Sequence, residues 1–164
     1  MMDLVLASAS PRRAELLRQI ELPFSVEPSP DPEPLPEEWA PEVFAVYSAQ
    51  CKARSVLRLL RDRGTAMNAL IVGADTVVCI DGLILGKPVD PAEAAQMLAQ
   101  LSGRQHRVYT GLSVVCSQRE SSGCEMTSVQ MKALSQQDID TYISSGEPFD
   151  KAGSYGICLL YTSP

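Results

Sequence analysis

The order of apolar and polar segments predicts a mixed α/β or α+β fold in which helices flank a sheet. Three observations support this prediction. The chain opens as strand, turn and helix, amphipathic helical segments separate the later apolar runs, and some of those runs are joined as hairpins instead of alternating regularly with helices. A chain of 164 residues can bury roughly two thirds of the surface of its unfolded form, so we expect a single domain over residues 1–164.

The N-terminal part is predicted to contain two strands around a helix. Residues 3–7 form a short apolar run, after which Ser10 and Pro11 stand as the N-cap and the first position of a helix. The segment PFSVEPS indicates a second strand. Prolines are so frequent over residues 28–41 that neither a regular helix nor a central strand can form there, so we expect an exposed loop.

The middle of the chain is predicted to hold two helices separated by a hairpin. Apolar residues recur at helical spacing over residues 42–61. The next segment has two apolar runs around residues 73–76 and then Asp81 and Gly82, a dipeptide typical of tight hairpin turns, so two or three packed strands are expected. Asp90 is the predicted cap of the next helix, and Glu93 completes an acidic variant of the capping box.

The last third of the chain is predicted to begin with an antiparallel hairpin. The runs HRVYTGLSVVC and CEMTSVQMKAL have the composition of strands, and a polar loop over residues 117–123 joins them. Ser135 is the predicted cap of a last short helix that extends to about Ser144. The segment EPFDKAGSYGI is expected to form a loop that continues into a strand.

The bulk composition excludes several classes of protein. The formal net charge is -6, with 45% hydrophobic and 21% charged residues, which argues against a general nucleic-acid or membrane surface. The five cysteines are odd in number and lack any CxxC spacing, so neither a zinc site nor a redox motif is indicated. Without a secretory signal or a long apolar stretch, the protein is expected to be soluble and cytoplasmic.

The segment SASPRR indicates a local binding site for an anion. The N-terminus of a helix already has a partial positive charge, so Arg12 and Arg13 each cost a few tenths to about 1 kcal/mol there unless a negative group lies nearby. The small residues Ser8 and Ser10 let a ligand approach the turn, and guanidinium groups suit phosphate oxygens. The alternative is that Ser10 only caps the helix while both arginines are solvated.

A carboxylate and three lysines are the other candidate site residues. Asp75 follows an apolar strand and is expected at a strand end or bulge, where a divalent metal or a positioned water would provide its partner. The alternative is an aspartate that binds backbone amides in a turn. Lys52, Lys87 and Lys151 form a site only if they converge, because each alone is typical of a surface. The sole histidine, His106, is expected to be structural and not a catalytic base.

Taken together, these segments resemble motifs of the Maf family of nucleoside triphosphate pyrophosphatases. LASASPRR, CKA, GADTVV, LGKP, LSGRQHRVYTG and SGEPFDKAGSYGI occur in that order from residue 3 to near 157. Ordered matches of this kind are far more specific than any one of them. The resemblance implies an α/β fold similar to that of ITPases, with a mixed sheet flanked by helices and two lobes around a central cleft.

The resemblance also implies an activity, which is hydrolysis of the α–β phosphoanhydride of a nucleotide to a monophosphate and pyrophosphate with Mg²⁺ or Mn²⁺. Asp75 matches the family's catalytic acid and would hold the metal and orient or deprotonate the attacking water. Lys52 and Lys87 would neutralise the charge that develops on the phosphates. The implied substrate-binding residues are Ser8, Ser10, Arg12, Arg13, Thr76, Lys151 and Cys158.

Arg13 and Thr76 match the branch of the family that prefers dTTP and UTP, and modified pyrimidine nucleotides are further expected substrates. That branch has glutamine where this chain has Cys158, so the expected contact to the base is absent or is replaced by a weaker sulfur group. The last residues, CLLYTSP, resemble no part of the family, from which we expect a C-terminal part of the domain to be missing. Asp31 and Glu33 are further candidate metal ligands.

Two other functions are compatible with the resemblance. A non-catalytic nucleotide-binding regulator linked to cell division and septum formation would bind nucleotide without turnover. A pyrophosphatase for methylated GTP is disfavoured by Arg13, where that branch has an aromatic residue. In each case the expected partner is a nucleoside triphosphate and not a nucleic acid or a membrane, and a homodimer is compatible with the sequence.

Overall fold

Six strands and four α-helices form the described part of the chain. The computed structural model describes residues 3–32, 34 and 39–156. The strands are β1 (Asp3–Leu6), β2 (Phe24–Val26), β3 (Ala69–Ile80), β4 (Leu83–Leu85), β5 (Gln105–Val115) and β6 (Glu120–Gln130). The helices are α1 (Pro11–Gln19), α2 (Pro41–Asp62), α3 (Pro91–Leu101) and α4 (Gln136–Ser144), with 3-10 turns at Ala66–Asn68, Glu147–Asp150 and Ala152–Ser154.

The strands build one mixed sheet in the order β2-β1-β3-β5-β6, with β4 paired to β3. β1 is parallel to both of its neighbours, so that Leu4 lies opposite Phe24 on one side and opposite Leu70 on the other. β4 runs antiparallel to β3, with Cys79 opposite Ile84. Parallel and antiparallel pairs occur together and helices connect them, so the predicted fold class, an α/β fold with a mixed sheet flanked by helices, is confirmed.

The described residues separate into two compact units. The first unit contains the residues up to Asp75 together with Thr110–Glu125, and the second contains Thr76–Tyr109 together with the residues from Met126 onward. The core of the first unit consists of Val5, Ala7, Ala53, Val56, Leu57, Ala66, Ala69, Ile71 and Val115. The core of the second unit consists of Val78, Ile80, Leu85, Met97, Leu98, Leu101, Val108, Met131, Ile139 and Tyr155. Each unit therefore buries an apolar cluster of its own.

The caps of α3 and α4 follow the predicted chemistry with one difference. Asp90 caps α3 by accepting a hydrogen bond of 2.8 Å from the backbone N–H of Glu93. The Glu93 carboxylate accepts from the backbone N–H of Val89 at 2.7 Å instead of from that of Asp90, so the predicted capping box is not closed. A reciprocal capping box is present at α4, where the side chains of Ser135 and Asp138 each accept from the other's backbone N–H.

The turns match the sequence-based predictions to different degrees. Asp81 and Gly82 adopt φ angles of 53° and 81°, the positive values that a type I′ hairpin turn requires. The loop before β6 is shorter than predicted, because the backbone N–H of Cys116 donates to the Arg119 carbonyl at 2.9 Å and β6 begins directly afterwards. The segment after α4 forms 3-10 turns where the sequence predicts a loop leading into a strand, and the residues from 157 onward lie outside the described part.

Candidate active site

Asp75 lies inside β3 and not at its end. The strand is continuous from Ala69 to Ile80, so the predicted strand end at this position is wrong, and the alternative of a turn aspartate does not apply. The Asp75 side chain is only 17% exposed. A carboxylate is tolerated in such a position when neighbouring cations neutralise it.

Lys52 supplies one of these cations. It lies on α2, where it is buried on the face that also contains Ala49 and Ala53. Its Nζ donates a hydrogen bond of 2.7 Å to Asp75 Oδ1. A lysine in such a position can bury its methylene groups while its ammonium group pairs with the carboxylate.

Arg13 is the second cation at this carboxylate. Its Nη2 is 3.8 Å from Asp75 Oδ1, and its Nη1 donates a hydrogen bond of 3.1 Å to Ser8 Oγ. The same serine oxygen accepts the backbone N–H of Ser10 at 3.2 Å, so the turn between β1 and α1 holds the guanidinium in place. Ser10 stands at the N-cap of α1, but its side chain makes no capping hydrogen bond, so the alternative in which it only caps the helix is wrong.

The cluster of Ser8, Arg13, Lys52 and Asp75 has a net positive charge, because two cations face one carboxylate. α1 adds the partial positive charge of its N-terminus, and its first turn contains no acidic residue. Arg12 lies exposed on that turn. An anion is therefore favoured beside this cluster even though the whole chain has a net charge of -6.

Two of the other predicted site residues lie on the second unit. Thr76 directly follows Asp75 on β3 and is half-buried, and Lys87 is exposed just after β4. The convergence of Lys87 with Asp75 stays a prediction.

Lys151 also belongs to the second unit, where its ammonium group donates hydrogen bonds to two neighbouring residues. Its Nζ donates to the carbonyl oxygen of Glu147 at 2.6 Å and to Asp150 Oδ1 at 2.7 Å. Cys158 lies outside the described residues. The predicted contacts of Lys151 and Cys158 with a nucleotide therefore stay predictions.

The carboxylate of Asp75 suits a metal ion that takes most of its ligands from outside the protein. Among the described residues, no three or more His, Cys, Asp or Glu side chains form a group that could bind a metal. Both ion pairs of Asp75 use Oδ1, so its Oδ2 lies outside them. Mg²⁺ commonly binds one or two carboxylates together with substrate phosphates, and a single carboxylate fits that pattern. Of the other candidate ligands, Asp31 pairs with Arg58 and Glu33 lies outside the described residues.

The histidine belongs to the interior of the second unit. His106 is 3% exposed, and its Nε2 hydrogen-bonds with the hydroxyl group of Tyr155. Burial lowers the pKa of His106 and raises the pKa of Tyr155 to about 12. Both groups are therefore neutral near pH 7, which agrees with a structural role for this histidine.

Gly73 is a feature of the site that the sequence-based predictions miss. A Cβ atom built on Gly73 would lie 2.3 Å from the carbonyl oxygen of Ala49 and 2.9 Å from the backbone nitrogen of Ala53, both on α2. Gly73 and Asp75 share one face of β3, because successive residues of a strand point to opposite faces. A glycine inside an apolar strand is a signal that another backbone approaches closely, so this contact could have been anticipated.

Comparison with protein families identifies the chain. A family model described as Maf-like protein matches residues 3–162. The chain belongs to the Maf family. This match extends over both units of the structure and over every motif on which the resemblance depends.

This Maf chain is similar to curated proteins named dTTP/UTP pyrophosphatase. The protein of Moorella thermoacetica is 47% identical over 159 residues, which cover 96% of this chain and 79% of the relative. The protein of Bacillus velezensis is 46% identical over 154 residues, which cover 94% of this chain and 78% of the relative. The protein of Symbiobacterium thermophilum is 45% identical over 158 residues, with coverage of 96% and 78%.

Among solved structures, the Maf chain resembles the Staphylococcus aureus Ham1 protein. The TM-score is 0.52 at 14% sequence identity, with 78% of this chain and 71% of the other covered, so the likeness concerns the fold alone.

Across residues 3–32, 34 and 39–156, no helix combines the length and the hydropathy that crossing a bilayer requires.

Proposed function

We propose that this chain hydrolyses dTTP and UTP to the nucleoside monophosphate and pyrophosphate. The proposal depends most on the Asp75 carboxylate, which Lys52 holds at 2.7 Å and Arg13 approaches at 3.8 Å. A candidate base thereby lies beside positive groups that attract a triphosphate. The Maf relatives named dTTP/UTP pyrophosphatase support the same substrate class.

Asp75 is assigned the orientation and deprotonation of the attacking water. A carboxylate can act as a general base when it is held within hydrogen-bond distance of the water that it activates. Lys52 holds Oδ1 and so restricts the rotation of the carboxylate, while Oδ2 lies outside the ion pair. The role assigned to Lys52 and Lys87 is to neutralise the negative charge that develops on the phosphate oxygens as the phosphoanhydride breaks.

The role assigned to the turn between β1 and α1 is to bind the phosphate chain of the nucleotide. Ser8 fixes the Arg13 guanidinium through the hydrogen bond of 3.1 Å, so that little conformational entropy is lost when phosphate binds. A guanidinium group binds phosphate oxygens with two parallel hydrogen bonds, which suits a triphosphate. Arg12 and Ser10 are assigned to the same chain of phosphates, and Lys151 is a further proposed substrate-binding residue.

Mg²⁺ or Mn²⁺ is the proposed cofactor, and Asp75 is its proposed protein ligand. When bound, the ion would polarise the phosphoryl oxygens and offset their negative charge. A single carboxylate leaves most of the coordination sphere to the nucleotide and to water, which agrees with the usual behaviour of Mg²⁺.

Recognition of the pyrimidine base is assigned to Thr76 and to the position of Cys158. A thiol is a much weaker hydrogen-bonding group than the amide of a glutamine. Because discrimination between bases depends on such hydrogen bonds, we expect dTTP and UTP to be preferred by a smaller factor than a glutamine would provide. Modified pyrimidine nucleotides are then accepted as well.

The release of pyrophosphate from a panel of common and modified triphosphates, with Mg²⁺ or Mn²⁺, tests the proposal. dTTP and UTP should be turned over faster than purine nucleotides. Asp75→Asn should lower turnover by about 100-fold or more while its thermal melting still shows a folded protein. Wild-type turnover in a folded Asp75→Asn variant would show that the role assigned to Asp75 is wrong.

Calorimetric binding of dTTP separates this proposal from the alternative of a nucleotide-binding regulator. Binding together with pyrophosphate release is the result expected of an enzyme. Binding without release, with either metal, would identify a regulator instead.

A further inference from the structure

α2 approaches strands β3 and β5 at two points that have room only for glycine. A Cβ atom on Gly73 would lie 2.3 Å from the carbonyl oxygen of Ala49, and a Cβ atom on Gly111 would lie 2.1 Å from that of Ala45 and 2.6 Å from the Val46 nitrogen. These distances are far inside van der Waals contact, and the obstructing atoms belong to the helix backbone. A side chain at either glycine therefore requires the helix itself to move.

The two contacts lie at different distances from the Lys52 ammonium. A Cβ atom on Gly73 would also lie 2.9 Å from the backbone nitrogen of Ala53 and 2.9 Å from its Cβ, and Ala53 is the residue after Lys52. The Gly111 contact is at Ala45, which precedes Lys52 by seven residues, or about 10 Å along the helix axis. Gly73 is also two residues from Asp75 on one face of β3. Both partners of the 2.7 Å hydrogen bond therefore flank the contact at Gly73.

We propose that Gly73 is a positioning residue for the pair formed by Lys52 and Asp75. Because Gly73 has no side chain, the backbone of α2 can contact β3. This contact sets how far α2 lies from the strand, and therefore the distance between the Lys52 ammonium and the Asp75 carboxylate. The predicted effect of Gly73 on turnover rests on the proposed function. Its predicted effect on the distance between Lys52 Nζ and Asp75 Oδ1 is independent of the reaction. Gly111 allows the same close packing of the helix but acts too far along α2 to set this distance.

Gly73→Ala and its matched control Gly111→Ala test the proposal through kinetics. Both substitutions should lower the melting temperature. A displacement of about 1 Å can cost on the order of 100-fold in rate, so kcat should fall about tenfold or more in Gly73→Ala and less than about twofold in Gly111→Ala. Affinity for α,β-methylene dTTP should stay within about twofold of wild type in both variants. Equal losses of kcat in the two variants would overturn the proposal.

A background that lacks the ammonium group separates positioning from a general structural role. If Gly73 acts through Lys52, then Gly73→Ala combined with Lys52→Met should have the same kcat as Lys52→Met alone. A residue that only maintains the fold would lower kcat by the same factor in both backgrounds. That result would contradict the assignment.

Crystal structures of the two glycine variants provide a test that needs no turnover. The distance between Lys52 Nζ and Asp75 Oδ1 should exceed about 3.5 Å in Gly73→Ala, the limit for a hydrogen bond, and should keep its wild-type value in Gly111→Ala. An unchanged distance in Gly73→Ala would overturn the proposal. A wild-type chain without pyrophosphatase activity would instead refute the proposed function, and this distance would still decide the role of Gly73.

A pair of substitutions on the helix side covers the case in which Gly73→Ala does not fold. Ala53→Ser enlarges the partner of Gly73, and Ala45→Ser makes the same change near Gly111; both alanines are 0% exposed. The distance between Lys52 and Asp75 should lengthen only in Ala53→Ser. The same distance in both variants would contradict the proposal.

Discussion

Lys52 Nζ and Asp75 Oδ1 are 2.7 Å apart, although 23 residues separate them in the chain. This hydrogen bond joins α2 to β3, and Arg13 approaches the same carboxylate oxygen at 3.8 Å. Two cations thus contact the same carboxylate oxygen. Removing any of these three groups therefore changes both the charge and the geometry that a triphosphate would meet.

Lys52→Met and Asp75→Asn should each lower kcat/KM by about 100-fold or more, because each removes one charge of the pair. The double variant should be hardly worse than the more damaged single variant, since the two groups act as a unit. Steady-state release of pyrophosphate measures this. Lys132→Met makes the same change at an exposed lysine and should keep the wild-type rate. Losses that multiply in the double variant would show that the two groups act independently.

Arg13→Lys should raise the KM for dTTP about tenfold, because charge-assisted hydrogen bonds worth roughly 1.5–3 kcal/mol are lost. The guanidinium contacts Ser8 and Asp75 at the same time, and a single ammonium group lacks the planar fork of donors that this requires. Initial rates over a range of dTTP concentrations measure the effect. Arg18→Lys is the matched control, because Arg18 is an exposed arginine of the same helix. A KM that rises equally in both variants would contradict a specific role for Arg13.

Removal of divalent metal with EDTA should abolish pyrophosphate release, and excess Mg²⁺ or Mn²⁺ should restore it. No group of three or more His, Cys, Asp or Glu side chains that could hold a metal occurs among the described residues, so Mn²⁺ alone should bind weakly. In the presence of α,β-methylene dTTP its binding should become much tighter. Titration calorimetry with and without the analogue measures both affinities. Tight binding of Mn²⁺ to the nucleotide-free protein would contradict the single-carboxylate site.

The free energy of unfolding should decrease as the pH falls below about 6.5. Burial lowers the pKa of His106 in the folded chain below its ordinary value, so the unfolded chain takes up a proton first as the pH decreases. The contribution of this group is constant above that range and becomes unfavourable below it. Urea unfolding between about pH 7.5 and 5.5 measures the effect. His106→Gln, which cannot titrate, should show a weaker dependence, and identical profiles would contradict the assignment.

Gly82→Ala should destabilise the protein by about 1 kcal/mol, because alanine is strained at positive φ. Gly82 has a φ of +81°, and apart from its chain neighbours no atom of the described residues lies within 4 Å of the place that a Cβ atom would take, so strain and not collision is responsible. Gly123→Ala on β6 is the matched control, since that glycine also has open space but lacks a positive φ. Its stability should be unchanged or slightly higher, as denaturant unfolding can show. Equal losses in the two variants would exclude strain at the turn as the cause.

Elements that depend on local chemistry could be predicted from the sequence. The turn at Asp81 and Gly82 requires only positive φ at two neighbouring residues, and the caps Asp90 and Ser135 require hydrogen bonds within a single helical turn. The order of the motifs also indicated the family, which the match over residues 3–162 confirms.

The meeting of the charged residues was decided by the tertiary structure. The sequence indicated Lys52 and Asp75 as members of one anion site on condition that they converge, and it predicted a strand end or bulge for Asp75 from the apolar runs on either side. The compensating ammonium lies 23 residues away on α2, and its distance depends on the backbone contact that Gly73 permits. Local propensity contains no information about such a distance, because it depends on how a helix and a strand pack after the intervening chain has folded.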